Sequence, residues 1–174
     1  MGCERCGGGP LVGVATERCI EVAGHRFSAE LIARRCEACG QLHVPAASLD
    51  RFQLLAARSL ADAGISSGEA FAFMRRALGI SAEALAPLLD LEPGELMRWE
   101  RADYVYRSAV EIVAGLVRRM LAGDLARPLG ARAAEDLLLA YRTPRPLAKT
   151  VRLDLGVPDE VRSRGFDERF SASG

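Results

Sequence analysis

Four cysteines in this chain share one spelling. Cys3-Glu4-Arg5-Cys6-Gly7 and Cys36-Glu37-Ala38-Cys39-Gly40 are both CxxCG, with 29 residues between the pairs. A two-residue gap lets both sulfurs of a tight turn face one ion, and the following glycine accepts the positive φ that turns backbone amides toward the thiolates. Two such turns complete a tetrahedron, so Cys3, Cys6, Cys36 and Cys39 are the expected ligands of a single Zn2+. Four thiolates close the coordination sphere and leave no position for a substrate or an activated water, which makes the expected role structural. An iron centre of the rubredoxin type uses the same knuckles, but Phe27 is the only aromatic residue before Phe52 to pack around one. A thioredoxin-like redox pair needs a CxxC at a helix start within a βαβ unit, and neither pair has that context. Cys19 reads as a small core residue, and His25 and His43 as surface groups or neighbours of the ligands.

Elements must bring the two knuckles together. Leu11 to Val22 and Arg26 to Cys36 have short extended runs broken at Ala23-Gly24, as in a hairpin. Residues 1–45 are therefore expected to form a zinc ribbon. Too small to bury enough apolar surface alone, it would draw on the order of 10 kcal/mol of folding energy from the metal. Helical spacing begins at Ala46 and runs to Ala63, and residues 46–66 read as a helical linker with a hinge at Ala63-Gly64-Ile65-Ser66-Ser67-Gly68. Residues 67–123 then spell short amphipathic helices: Glu69 to Leu78 behind a Ser66/Glu69 capping box, Ser81 to Leu89, Pro93 to Arg101, and Ser108 to Leu121. Their expected shared core is Phe71, Met74, Leu78, Leu85, Leu88, Leu96, Trp99, Val113 and Leu116. Pro87 falls about six residues into the second of these, where a regular α-helix would lose a backbone bond at a cost of roughly 3 kcal/mol unless it kinks. Residues 124–174 form an extension with a helix over Ala131 to Tyr141, a strand over Leu147 to Leu155 and a polar tail. The fold class this predicts is α+β multidomain: a small N-terminal β zinc ribbon, an all-α helix-turn-helix domain, and a C-terminal helical extension.

The stretch from Ile80-Ser81-Ala82-Glu83-Ala84-Leu85-Ala86 to Arg98-Trp99-Glu100-Arg101 resembles the Cro and cI (XRE) repressor fold, in which the second of two tightly joined helices enters a DNA major groove. Together with the CxxCG pairs, the layout of residues 1–122 resembles MqsA-type antitoxins and their solitary regulator relatives. That resemblance implies a zinc ribbon that binds a partner ribonuclease toxin and a helical domain that dimerises on a palindromic double-stranded DNA operator. Its groove-facing positions correspond to Gly94, Glu95, Met97 and Arg98, with Arg101 nearby. Ala82 and Gly94 stand where the family usually carries polar side chains.

Charge bears on the same question. The 174 residues carry 23 basic and 23 acidic side chains, so no global field steers the chain toward nucleic acid or an anionic membrane. Residues 67–123 hold seven arginines against eight acids, with Glu92 and Glu95 placed where phosphates would approach. A protein-interaction adaptor, whose helix-turn-helix only dimerises, is therefore the competing expectation to a DNA-binding regulator. No Ser-His-Asp set, spaced carboxylate pair or Gly-rich phosphate loop is present, which argues against an enzyme. The start lacks the apolar stretch of a secretory signal and no apolar run would span a bilayer, so the expected location is the cytoplasm, away from membranes.

Overall fold

The computed structural model describes residues 2–121 and 145–162. A hairpin dominates the N-terminal region: β1, Leu11–Val22, and β2, His25–Cys36, are each 12 residues long. They are joined at Ala23 and Gly24, which have φ values of 51° and 72°. Two successive positive φ values make a tight turn whose twist matches that of the strands. Two short strands join this pair. β3, Leu42–His43, lies antiparallel to β2 with Arg34 opposite His43 and Arg35 opposite Leu42. β4, Thr150–Leu153, also pairs with β2. Since β1 takes one edge of β2, β3 and β4 share the other, at opposite ends of the strand. Arg26 N–H donates to Lys149 O at 2.7 Å and Arg152 reaches Glu30 at 3.2 Å, so the residue numbers rise together, β4 runs parallel to β2, and the sheet is mixed.

This sheet corrects the expected fold class. The β structure is not a small ribbon confined to the first 45 residues and followed by an all-α domain, because the hairpin is long and residues 150–153 return to complete a four-stranded sheet. The physical reason is the open edge of β2: a four-residue strand cannot stand alone, and pairing there satisfies its backbone groups. Glu30 fastens the returning chain by accepting from Arg152 and, at 2.8 Å, from Arg162 of the short helix α6, Asp159–Arg162. His25, 8% exposed, bonds Ala148 O through Nδ1 at 3.0 Å.

The chain divides into two compact units, one drawing on Met1–Ile20, Ser28–Phe52 and the chain from Arg152 onward, the other on Glu21–Phe27 and Gln53–Val151. The second holds the helical core. Its members are the later part of α1 (Ala46–Asp62), α2 (Gly68–Ala77), α3 (Ala82–Leu85), α4 (Pro93–Trp99) and α5 (Arg107–Leu121). Phe71, Met74, Leu85, Leu96 and Val113 are fully buried there, with Leu78 and Trp99 packed against them. Leu88 is not part of this core; it is 76% exposed. The cause is Pro87: the α-helix ends at Leu85 and tightens into a 3-10 turn over Ala86–Leu89, which accommodates the proline but rotates Leu88 outward.

Ser67, rather than Ser66, caps α2, accepting from Ala70 N–H at 3.3 Å. Gly68 follows it, donating its N–H to Ala102 O at 2.9 Å, and a Cβ there would lie 2.7 Å from that oxygen. The glycine is thus demanded by close backbone approach. Arg75 of α2 forks onto Glu100, with Nε to Oε1 at 2.5 Å and Nη2 to Oε2 at 3.0 Å, while its Nη1 donates to Ile80 O at 2.6 Å. Asp62 ties α1 to α5 by accepting from Arg58 at 2.6 Å and Arg118 at 2.8 Å. Among the described residues no helix is long and apolar enough to cross a membrane. The predicted helix over 131–141 and the tail beyond 162 lie outside the described residues.

Candidate metal centre

Each knuckle is built the same way. Gly7 N–H donates to Cys3 O at 2.8 Å and Gly40 N–H to Cys36 O at 2.9 Å. Both glycines are left-handed, with φ of 76° and 71°, as the spelling predicts. Leu11–Val22 follows one knuckle and His25–Cys36 leads into the other, so the hairpin brings both to the same end of the sheet. Pro10 O accepts Glu37 N–H at 3.1 Å and Gln41 O accepts Cys36 N–H at 2.9 Å, locking the knuckles to each other and to β3.

The four sulfurs all lie within 4.8 Å of one another, with Cys3 to Cys39 and Cys6 to Cys36 both at 3.6 Å. Sulfurs at about 2.3 Å from a tetrahedral zinc would be about 3.8 Å apart, so the arrangement fits one ion. All five cysteines are free thiols. Cys3 and Cys36 are buried whereas Cys6 and Cys39 are exposed, so the site has an inner and an outer half. Donors converge on it. The backbone N–H of Cys6, then the His43 ring, then the N–H of Arg5 favour the Cys3 thiolate and bring its pKa down to about 6 against the opposing effect of burial. The N–H groups of Gly8 and Gly9, then Cys36 and Cys39, lower that of Cys6. At Cys39 the N–H of Gln41 favours the thiolate, but local desolvation of the sulfur beside the other knuckle and the three neighbouring sulfurs outweigh it and hold the thiol up at about 11, although the residue as a whole is exposed. Cys3 thus ionises early and Cys39 late, and a cation would relieve the repulsion that holds the Cys39 proton in place.

His43 stands beside this set, its Nε2 3.5 Å from Cys3 Sγ. Toward a thiolate the ring must donate, so it can steady Cys3 without replacing it as a ligand. Gly9 is a further member of the site that spacing alone does not reveal. It is buried, and a Cβ there would run into Cys36 Sγ and come within 2.8 Å of Ala38 Cβ. Cys19 is exposed and takes no part, which corrects its reading as a core residue: the middle of β1, Glu17 to Cys19, is exposed on both faces.

On the helical unit, Gly94, Met97, Arg98 and Arg101 are exposed and Glu95 is half-buried. Met97 is 44% exposed. The 3-10 turn and α4 are joined through Asp90, which is left-handed with φ of 57°. Glu100 is withdrawn from this surface by Arg75, a pairing across 25 residues that the sequence did not announce. No protein-family model matches the chain, and neither does any curated protein or any solved structure.

Proposed function

We propose that this chain is a zinc-binding, DNA-binding transcriptional regulator that serves as the antitoxin of a toxin-antitoxin pair. The observation that carries the reading is the convergence of Cys3, Cys6, Cys36 and Cys39, four thiols within 4.8 Å at the end of a hairpin. A closed thiolate set suits a structural ion, and zinc is the metal that such sets take without redox chemistry. Support for the DNA-binding part comes from the three-residue connection between the 3-10 turn and α4, the exposed Arg98 and Arg101, and the resemblance of residues 1–122 to MqsA-type antitoxins. In this reading a homodimer sets two copies of α4 roughly 34 Å apart, one turn of duplex, and the knuckle end holds a ribonuclease toxin. A mobility-shift titration against genomic fragments selected by the zinc-loaded protein tests it. Arg98→Ala should weaken binding at least severalfold, and equal affinity would remove that residue from the mechanism.

Glu92 at the cap of α4 and Glu95 in its first turn favour a second reading, a protein-interaction adaptor that dimerises without touching DNA. Salt separates the two. A DNA binder loses affinity steeply as salt rises, and an adaptor binds no duplex even at low salt.

A further inference from the structure

We infer that the duplex bound by this chain lies across the C-terminal end of α4 and the turn after it, not across the N-terminal end of α4; the inference rests on the DNA-binding reading above. Recognition helices commonly present their N-terminal residues to base edges. Here that end is inverted in charge. Residues 90–95 contain Asp90, Glu92 and Glu95 and no basic residue, Pro93 lacks an N–H, Gly94 lacks a side chain, and Glu92 makes no side-chain capping bond. No basic side chain in that stretch draws a phosphate, and three carboxylates repel one.

The other end has the opposite character. Residues 98–107 hold Arg98, Arg101 and Arg107 against Glu100 and Asp103; Glu100 is turned inward onto Arg75 and Arg107 is held by Glu111, which leaves Arg98 and Arg101 against Asp103. Among the described residues neither Arg98 nor Arg101 makes an ion pair, so both charges are available to a partner. The backbone beyond them is pinned. Ala102 N–H donates to Trp99 O at 3.0 Å, Ala102 O accepts from Gly68 at 2.9 Å, and Val105, only 1% exposed, donates to Ser66 O at 2.8 Å. This turn displays Tyr104, 61% exposed, while the ring of Tyr106 leans on Trp99 with centroids 5.2 Å apart. A phenol on a rigid turn next to two unpaired arginines can donate to a phosphate oxygen at little ordering cost.

The test uses the full zinc-loaded chain and fluorescence anisotropy with a labelled mixed-sequence duplex of about two dozen base pairs, from low to physiological salt. Arg101→Ala should lose about fivefold or more at low salt and reduce the salt slope by about 0.9, one phosphate contact. Tyr104→Ala and Tyr104→Phe should each lose about fivefold with the slope unchanged, because the lost contact is a neutral hydrogen bond. At physiological salt, where through-space effects are screened, the double variant Glu92→Gln/Glu95→Gln should stay within about fivefold of the parent. Docking at the C-terminal end is overturned if the Arg101 and Tyr104 variants bind as the parent does, or if the double variant tightens binding more than about fivefold. A parent protein that binds no duplex at low salt instead overturns the DNA-binding reading itself, whatever the variants do.

Discussion

At the scale of single residues, the centre rests on sulfurs whose positions are set by local spelling. That is why the clustering of the four sulfurs is legible in the sequence: CxxCG fixes each knuckle within five residues, and the observed Gly7 and Gly40 hydrogen bonds are the consequence. Gly9 was not legible, because its neighbours Cys36 and Ala38 are distant in sequence. Gly9→Ala should therefore weaken zinc retention in a chelator competition while Cys19→Ser, at an exposed cysteine outside the cluster, leaves retention unchanged; equal retention by Gly9→Ala and the parent would contradict the packing. Proton competition adds a pH signature. Cys39, held up at about 11, must lose a proton to bind metal throughout the neutral range, and Cys3 joins it only below about 6. Affinity should fall as pH falls, and the slope of its logarithm should steepen on passing below about pH 6. A constant slope through that region would show that Cys3 is not ionised early.

At the scale of elements, periodicity placed the helices of the central region but not their partners. Pro87 signals a break in the second helix, and the 3-10 turn over Ala86–Leu89 resolves it, yet regular helical spacing points Leu88 inward where the turn exposes it. Spacing is also silent on Arg75 and Glu100, which meet across the α2 to α4 packing with side chains only 10% and 15% exposed. Removing one partner strands the other, so Glu100→Ala should cost about 3–5 kcal/mol in urea unfolding, whereas replacing both by methionine should cost much less. Additive single-site costs would argue that the pair is solvated. Gly68→Ala belongs to the same interface; with Ala102 O 2.7 Å from the added carbon, overpacking should cost about 1–3 kcal/mol. A stability equal to the parent's would mean the α2 start has room that the structure does not show.

At the scale of the whole molecule, the sheet joins the two ends of the described chain. The alternation of Val151 and Leu153 announced a strand, but nothing local says that it pairs with β2 more than a hundred residues earlier, and the expected β-then-α order failed on that pairing. Pairing also explains why His25 is buried: its acceptor is Ala148. A chain truncated after residue 144 loses that acceptor, β4 and the two arginines on Glu30. Its hairpin should exchange backbone amides faster along residues 26–32, while the zinc stoichiometry stays at that of the full chain. Unchanged protection there would deny β4 its structural role.

The proposed function stands on a single closed thiolate ion site made by the two knuckles. X-ray absorption at the zinc edge, on protein purified without added metal and paired with elemental analysis, tests it most directly. One zinc per chain with four sulfurs at about 2.3 Å and no nitrogen is expected, since His43 contacts Cys3 and would stay outside the shell. Substoichiometric metal, or a mixed shell of sulfur and nitrogen, would contradict it.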